Sequence, residues 1–187
     1  MGRGAGAGEL YAGAVILDPA RPIAGLADSK KLSAAKREKL SAEIKKSALD
    51  WRIGKASLEE IERLNVLHAS LLAMERAVRG LKIRPEKILV DGNRRPKIFD
   101  IPVAAIVRGD VTVAAISAAS IIAKVARDEA MVLCDGLYPQ YGFAEHKGYL
   151  TKKHLEALKK YGPCPIHRRG YAPVREIMEG VDGRGLF

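Results

Sequence analysis

Apolar positions in this chain fall into short continuous runs, and these alternate with stretches of helical spacing. Residues 10–17, Leu-Tyr-Ala-Gly-Ala-Val-Ile-Leu, form one such run, and Asp18-Pro19 closes it, which predicts a strand. Ser33 offers an N-cap to a helix reaching about Ala48, with Leu40 and Ile44 four apart on one face. Residues 51–56 predict a short strand, and Ser57 with Glu60 makes a capping box for a helix over 58–64. Asn65 caps a second helix to about Leu81, with Leu71, Met74 and Val78 on its stripe. Residues 87–90 and 101–107 predict two more strands, the first stopping at Asp91-Gly92-Asn93 and the second at a Gly109-Asp110 turn. Thr151 caps a helix to about Tyr161, before Gly162-Pro163. Strands alternating with helices give an α/β class and a single domain over 1–187. Residues 1–8, without periodicity, predict a flexible leader, and 176–187 a loosely held tail.

Residues 116–128, Ile-Ser-Ala-Ala-Ser-Ile-Ile-Ala-Lys-Val-Ala-Arg-Asp, are apolar or small nearly all round, so this helix is expected to be covered on several sides. It holds no Gly or Pro and is rich in Ala, the strongest helix former. Lys124, Arg127 and Asp128 come at its far end. Two readings stand. A buried helix can deliver Asp128 rigidly as a metal ligand, or Lys124 and Asp128 form an ordinary i,i+4 ion pair.

Composition narrows the class. Hydrophobic residues are 48% of the 187, which excludes disorder. No apolar run reaches the ~18 residues of a membrane span, and nothing at the start is laid out as a secretory signal. Cys134 and Cys164 have no paired spacing for a zinc site or a disulfide framework, so reduced thiols in a cytoplasmic protein are expected. The formal net charge is +10, which suits a polyanionic partner. Between His146 and Arg169 seven Lys/Arg face one acid, Glu156, so residues of about 140–175 are the expected substrate-binding segment. His146, His154 and His167 sit among those cations.

Asp91 follows a buried-looking strand, where open α/β sheets place their ligands, although Asp-Gly-Asn is also good turn chemistry. Asp91 with Asp128, in a basic chain with no nucleophilic Ser or Cys constellation, suits divalent cations acting on phosphate. Lys30 and Lys31 at a helix start could meet a phosphate or simply accompany a cap. Lys147 and Tyr149 in His-Lys-Gly-Tyr combine a cation with an aromatic face; a lone loop Tyr can equally be a lid over the core. Arg168 and Arg169 could bind phosphate or decorate the surface, and Gly2-Arg3-Gly4 would expose backbone N–H groups.

In order, 25–33 (Gly-Leu-Ala-Asp-Ser-Lys-Lys-Leu-Ser), 65–74, Val90-Asp91-Gly92-Asn93, 116–128, 138–143, His146-Lys147-Gly148-Tyr149 and 162–169 resemble the ribonuclease HII family. The match runs from about Gly13 to Val174, most of the chain. The resemblance implies an RNase H-like fold with a mixed central β-sheet flanked by helices and a C-terminal helical and loop basic segment. It implies an endonuclease hydrolysing the RNA strand of RNA–DNA hybrids and nicking at ribonucleotides embedded in duplex DNA, with Mg²⁺ or Mn²⁺ held by four carboxylates. Asp91 and Asp128 match two of these, and Gly2-Arg3-Gly4 with Tyr149 match the residues that read the RNA-to-DNA junction.

The other two carboxylates would be an Asp-Glu pair at the end of a first strand just upstream of Gly-Arg-Gly. Met1 directly precedes Gly2, so the sequence as written is expected to lack that strand and pair and to be impaired in catalysis. Either a longer native protein carries them, the favoured explanation, or the metal chemistry has been lost. The enzyme is expected to be a monomer with no membrane association. The rival readings are a non-catalytic hybrid-binding protein and a basic α/β nuclease without preference for hybrids.

Overall fold

The computed structural model describes residues 1–26 and 32–180. Lys30, Lys31 and the end of the expected tail, 181–187, lie outside the described residues. β1 (Leu10–Ile16) pairs antiparallel with β2 (Asp50–Ala56) in a register running from Leu10↔Ala56 to Ile16↔Asp50. Between them runs α1 (Ala34–Ser47), started by Ser33, whose hydroxyl accepts the Lys36 N–H at 3.3 Å. α2 (Leu58–Arg79) opens on the full Ser57/Glu60 capping box. Inside it Asn65 leaves helical space at φ 64°, and its Oδ1 accepts the N–H groups of Leu67 at 3.0 Å and His68 at 3.1 Å. That is the second cap expected there, so two helices run end to end across a kink.

β3 (Ile88–Asp91) pairs parallel with β4 (Val103–Ile106), ending at Asp91↔Ile106. A short α3 (Gly109–Thr112) leads into α4 (Ala114–Leu137). A 3-10 turn (Pro139–Tyr141), α5 (Phe143–His146), α6 (Lys152–Tyr161) and α7 (Ala172–Met178) complete the described order. Thr151 caps α6 through the His154 N–H at 3.3 Å.

The antiparallel β1–β2 pair is covered on both faces because its side chains alternate between two apolar partners. Leu10, Ala12, Ala14 and Ala56 meet Ala69, Ala73 and Ala77 of α2. Val15, Trp51 and Ile53 turn the other way, toward Leu40 and Ile44 of α1 and Ala118, Ile121 and Ile122 of α4. Small residues set the spacing: a Cβ on Gly54 would overlap the Ala73 carbonyl oxygen, and one on Gly13 the Ala119 carbonyl oxygen. At the far end of α4, Met131 packs with Ala7, Tyr141 and Phe143.

Four expectations change. The mixed strand directions are present, but the described strands pair as two separate two-stranded sheets. The helix over 116–128 does not end at Asp128; it runs on to Leu137, because Met131 is buried one turn further on. Residues 1–8 are no flexible leader: Gly2, Ala5 and Ala7 are buried, and Ala5 and Ala7 bridge to Tyr149 and His167. The chain after Arg175 remains helical to Met178, with Val174 of the same helix buried. No helix among the described residues is long and apolar enough to cross a membrane.

Candidate active site

Parallel strands carry their C-terminal ends to the same edge, so whatever follows β4 lies beside Asp91. Gly92 donates its N–H to Ile106 O at 2.9 Å, and four residues past Ile106 the Asp110 N–H approaches Asp91 Oδ1 at 3.4 Å. Asp91 is exposed and Asp110 buried. Asp110 is the candidate that a reading of the sequence as turns misses. The available signal was a second Asp just past the end of a second strand.

The course of α4 bears on the expected pairing of Asp91 with Asp128. Gly109 sits against the first turns of that helix, where an added Cβ would stand 2.6 Å from Ile116 Cδ1. From Ile116, the residue Gly109 meets, to Asp128 the helix climbs about 18 Å, more than three turns. Asp128 is instead held by Lys124 Nζ at 2.7 Å, the i,i+4 pair of the second reading.

That far part of α4 meets the N-terminal segment. Lys124 Nζ stands 6.0 Å from the Tyr149 ring centre and Arg127 Cζ 5.6 Å. A Cβ on Gly4 would sit 3.8 Å from Tyr149 Cε1. Tyr149, 37% exposed, therefore shares one surface with the Gly2-Arg3-Gly4 backbone, as sequence order alone could not show.

Two buried guanidinium groups hold this surface together. Arg127 donates to Lys147 O at 2.9 Å and Ala7 O at 3.0 Å. Arg168 donates to Gly8 O at 2.7 and 2.9 Å and to Gly2 O at 2.8 Å. Burial, with the Arg127 charge next in effect, pushes Arg168 down to about 10. Arg168 is thus not a phosphate contact: its donors are spent on carbonyls that the glycine-rich segment would otherwise bury unpaired. Lys147 Nζ bonds Ala144 O. Arg3 and Arg169 stay exposed; the Arg169 backbone N–H donates to Glu62 Oε1 at 3.3 Å.

Among the described residues no group of three or more His, Cys, Asp or Glu is assembled for a metal ion. Asp91 and Asp110 offer oxygen donors only, which fits a hard cation held by one or two carboxylates together with water and substrate phosphate. They do not form an all-protein cage.

Residues 1–174 match the ribonuclease HII family. The chain belongs to that family. A ribonuclease HII from Desulforamulus reducens is 64% identical over 185 residues, covering 99% of this chain and 93% of that one. The ribonuclease HII reading also agrees with the crystal structure of ribonuclease H2 from Pyrococcus horikoshii, 30% identical with a TM-score of 0.79 over 96% of this chain and 94% of that one. Bst-RNase HIII, solved with Mn²⁺, shares the fold at 15% identity and a TM-score of 0.72, over 98% of this chain and 68% of that one. Family membership makes this chain an RNase H-type endonuclease with an α/β fold of the ribonuclease H2 kind.

Proposed function

We propose that this enzyme hydrolyses the RNA strand of RNA–DNA hybrids and nicks duplex DNA at embedded ribonucleotides, acting as a cytoplasmic monomer. The observation that carries this reading is the apposition of Gly4 and Tyr149, with Arg127 and Lys124 near the same ring. Backbone groups of residues 2–4 can address a 2′-OH, the group that separates RNA from DNA, while the Tyr149 ring stacks on the adjoining sugar. Exposed Arg3 and Arg169 serve as phosphate contacts that position the duplex without reading its sequence. Asp91 and Asp110 would hold Mg²⁺ or Mn²⁺ at the edge of the parallel strands. A bound cation there supplies charge to the scissile phosphate and acidifies water.

The test is cleavage of a duplex carrying one ribonucleotide beside an all-DNA duplex of the same sequence, with Mg²⁺ or Mn²⁺. Cutting confined to the ribonucleotide supports the reading. Equal cutting of both duplexes, or of neither, overturns it.

A further inference from the structure

Three histidines from the basic segment lie buried around Phe143, whose ring centre is 5.8 Å from His146, 5.4 Å from His154 and 5.6 Å from His167. His146 and His154 stack at 4.2 Å, and His154 Nε2 meets His167 Nε2 at 3.0 Å. The partners of His154 and His146 assign their protons, since a carbonyl only accepts and a backbone N–H only donates, and the state of His167 follows from His154. His154 Nδ1 lies 2.9 Å from Tyr149 O, so Nδ1 carries the proton and Nε2 the lone pair. His167 must then donate from Nε2, so its Nδ1 accepts the Cys164 N–H at 2.9 Å, the shortest of its contacts, with Cys164 Sγ at 3.1 Å and Cys164 O at 3.3 Å beside it. His146 donates from Nε2 to Tyr141 O at 2.8 Å and accepts the Gly148 N–H at Nδ1 over 3.2 Å. The set is closed only when all three rings are neutral, and it points in one direction, from His167 through His154 to Tyr149.

We propose that His154, oriented by His167, is a positioning residue that sets Tyr149 for its sugar; this rests on the junction-reading role given to Tyr149 above. Tyr149 O also accepts the Thr151 N–H at 2.8 Å, so the two bonds together fix the plane of the peptide that follows the ring's own Cα. The Ala7↔His167 and Ala5↔Tyr149 bridges tie the same unit to the glycine-rich segment. A turn of that peptide would swing the Tyr149 ring away from Gly4.

The experiment compares binding of a duplex with one ribonucleotide and of an all-DNA duplex to full-length wild type, His154→Asn, His154→Gln and His154→Phe. Asn places an N–H donor where Nδ1 stands and keeps the bond to Tyr149 O; Gln reaches only the His167 side, and Phe neither. Asn is expected to keep the preference for the ribonucleotide duplex, while Gln and Phe lose about fivefold of it, as one hydrogen bond warrants. All-DNA binding should stay within about twofold, which a general loss of folding would not allow. Nitrogen NMR of the wild type should show His154 protonated at Nδ1 and the other two at Nε2. A wild-type preference that His154→Phe retains, or a His154 proton on Nε2, overturns the positioning role alone. Absence of any preference in the wild type overturns the junction reading and this proposal with it.

Discussion

The Asp110 backbone N–H reaches Asp91 Oδ1 across the ends of two parallel strands, at 3.4 Å. Neither residue is near the other in sequence. The pairing Asp91↔Ile106 fixes the register, and Gly109-Asp110 follows from it. The meeting of Asp91 with the Asp110 backbone at this edge is therefore a product of the sheet, while Asp128, further along the buried α4, forms an ion pair with Lys124.

Arg168 and Arg169 are neighbours with opposite duties. Arg168→Met should cost about 3 kcal/mol, because it strands the buried carbonyls of Gly2 and Gly8. Arg169→Met should leave stability within about 0.5 kcal/mol and lower the salt slope of duplex binding by about 1. Urea unfolding and binding at several salt concentrations check the two effects.

Close approach of β2 to α2 depends on Gly54, whose added Cβ would overlap the Ala73 carbonyl oxygen. Backbone cannot step aside as a side chain can. Gly54→Ala should therefore destabilise by about 3 kcal/mol, at the upper end of overpacking costs. Gly136→Ala, where a Cβ meets nothing within 4 Å, is the control and should not destabilise. Thermal melts of the two variants check the contrast.

Acid should weaken the fold in two windows. Burial foremost pushes His154 and His167 down to about 4, so the folded state binds fewer protons than the unfolded one below pH 6.5. Their stabilising effect is full above pH 6.5 and is lost as pH falls toward 4. Glu60 is held down to about 2, first by its hydrogen bond from Arg76 and then by the Ser57 N–H. Its contribution is present above pH 4.5 and is lost as pH falls toward 2. Urea midpoints against pH should fall in both windows, and Glu60→Gln should flatten only the lower one.

Local chemistry was legible in the sequence, and long-range pairing was not. Ser33, Ser57 with Glu60, Asn65 and Thr151 announce their helices because a cap acts within three residues of itself. The family motifs were equally plain in residues 116–128 and 162–169. Asp110 stayed hidden because Gly-Asp is good turn chemistry and only the β3–β4 register shows what it faces. Arg168 and the histidines misled for the same reason: charge and polarity suggest a wet surface. Their actual partners are carbonyls about 160 residues away and one another's rings. The glycine-rich start looked structureless because what orders it comes from Arg127 and Arg168, far along the chain.

The account stands on Asp91 and Asp110 being the carboxylates that share a cation. The most direct measurement is Mn²⁺ affinity by electron paramagnetic resonance, in the presence of a hybrid duplex, for wild type, Asp91→Asn, Asp110→Asn and Asp128→Asn. Asp91→Asn and Asp110→Asn should each weaken Mn²⁺ binding by at least about tenfold, while Asp128→Asn should stay within about twofold. Tenfold weakening by Asp128→Asn with Asp110→Asn unchanged would contradict it.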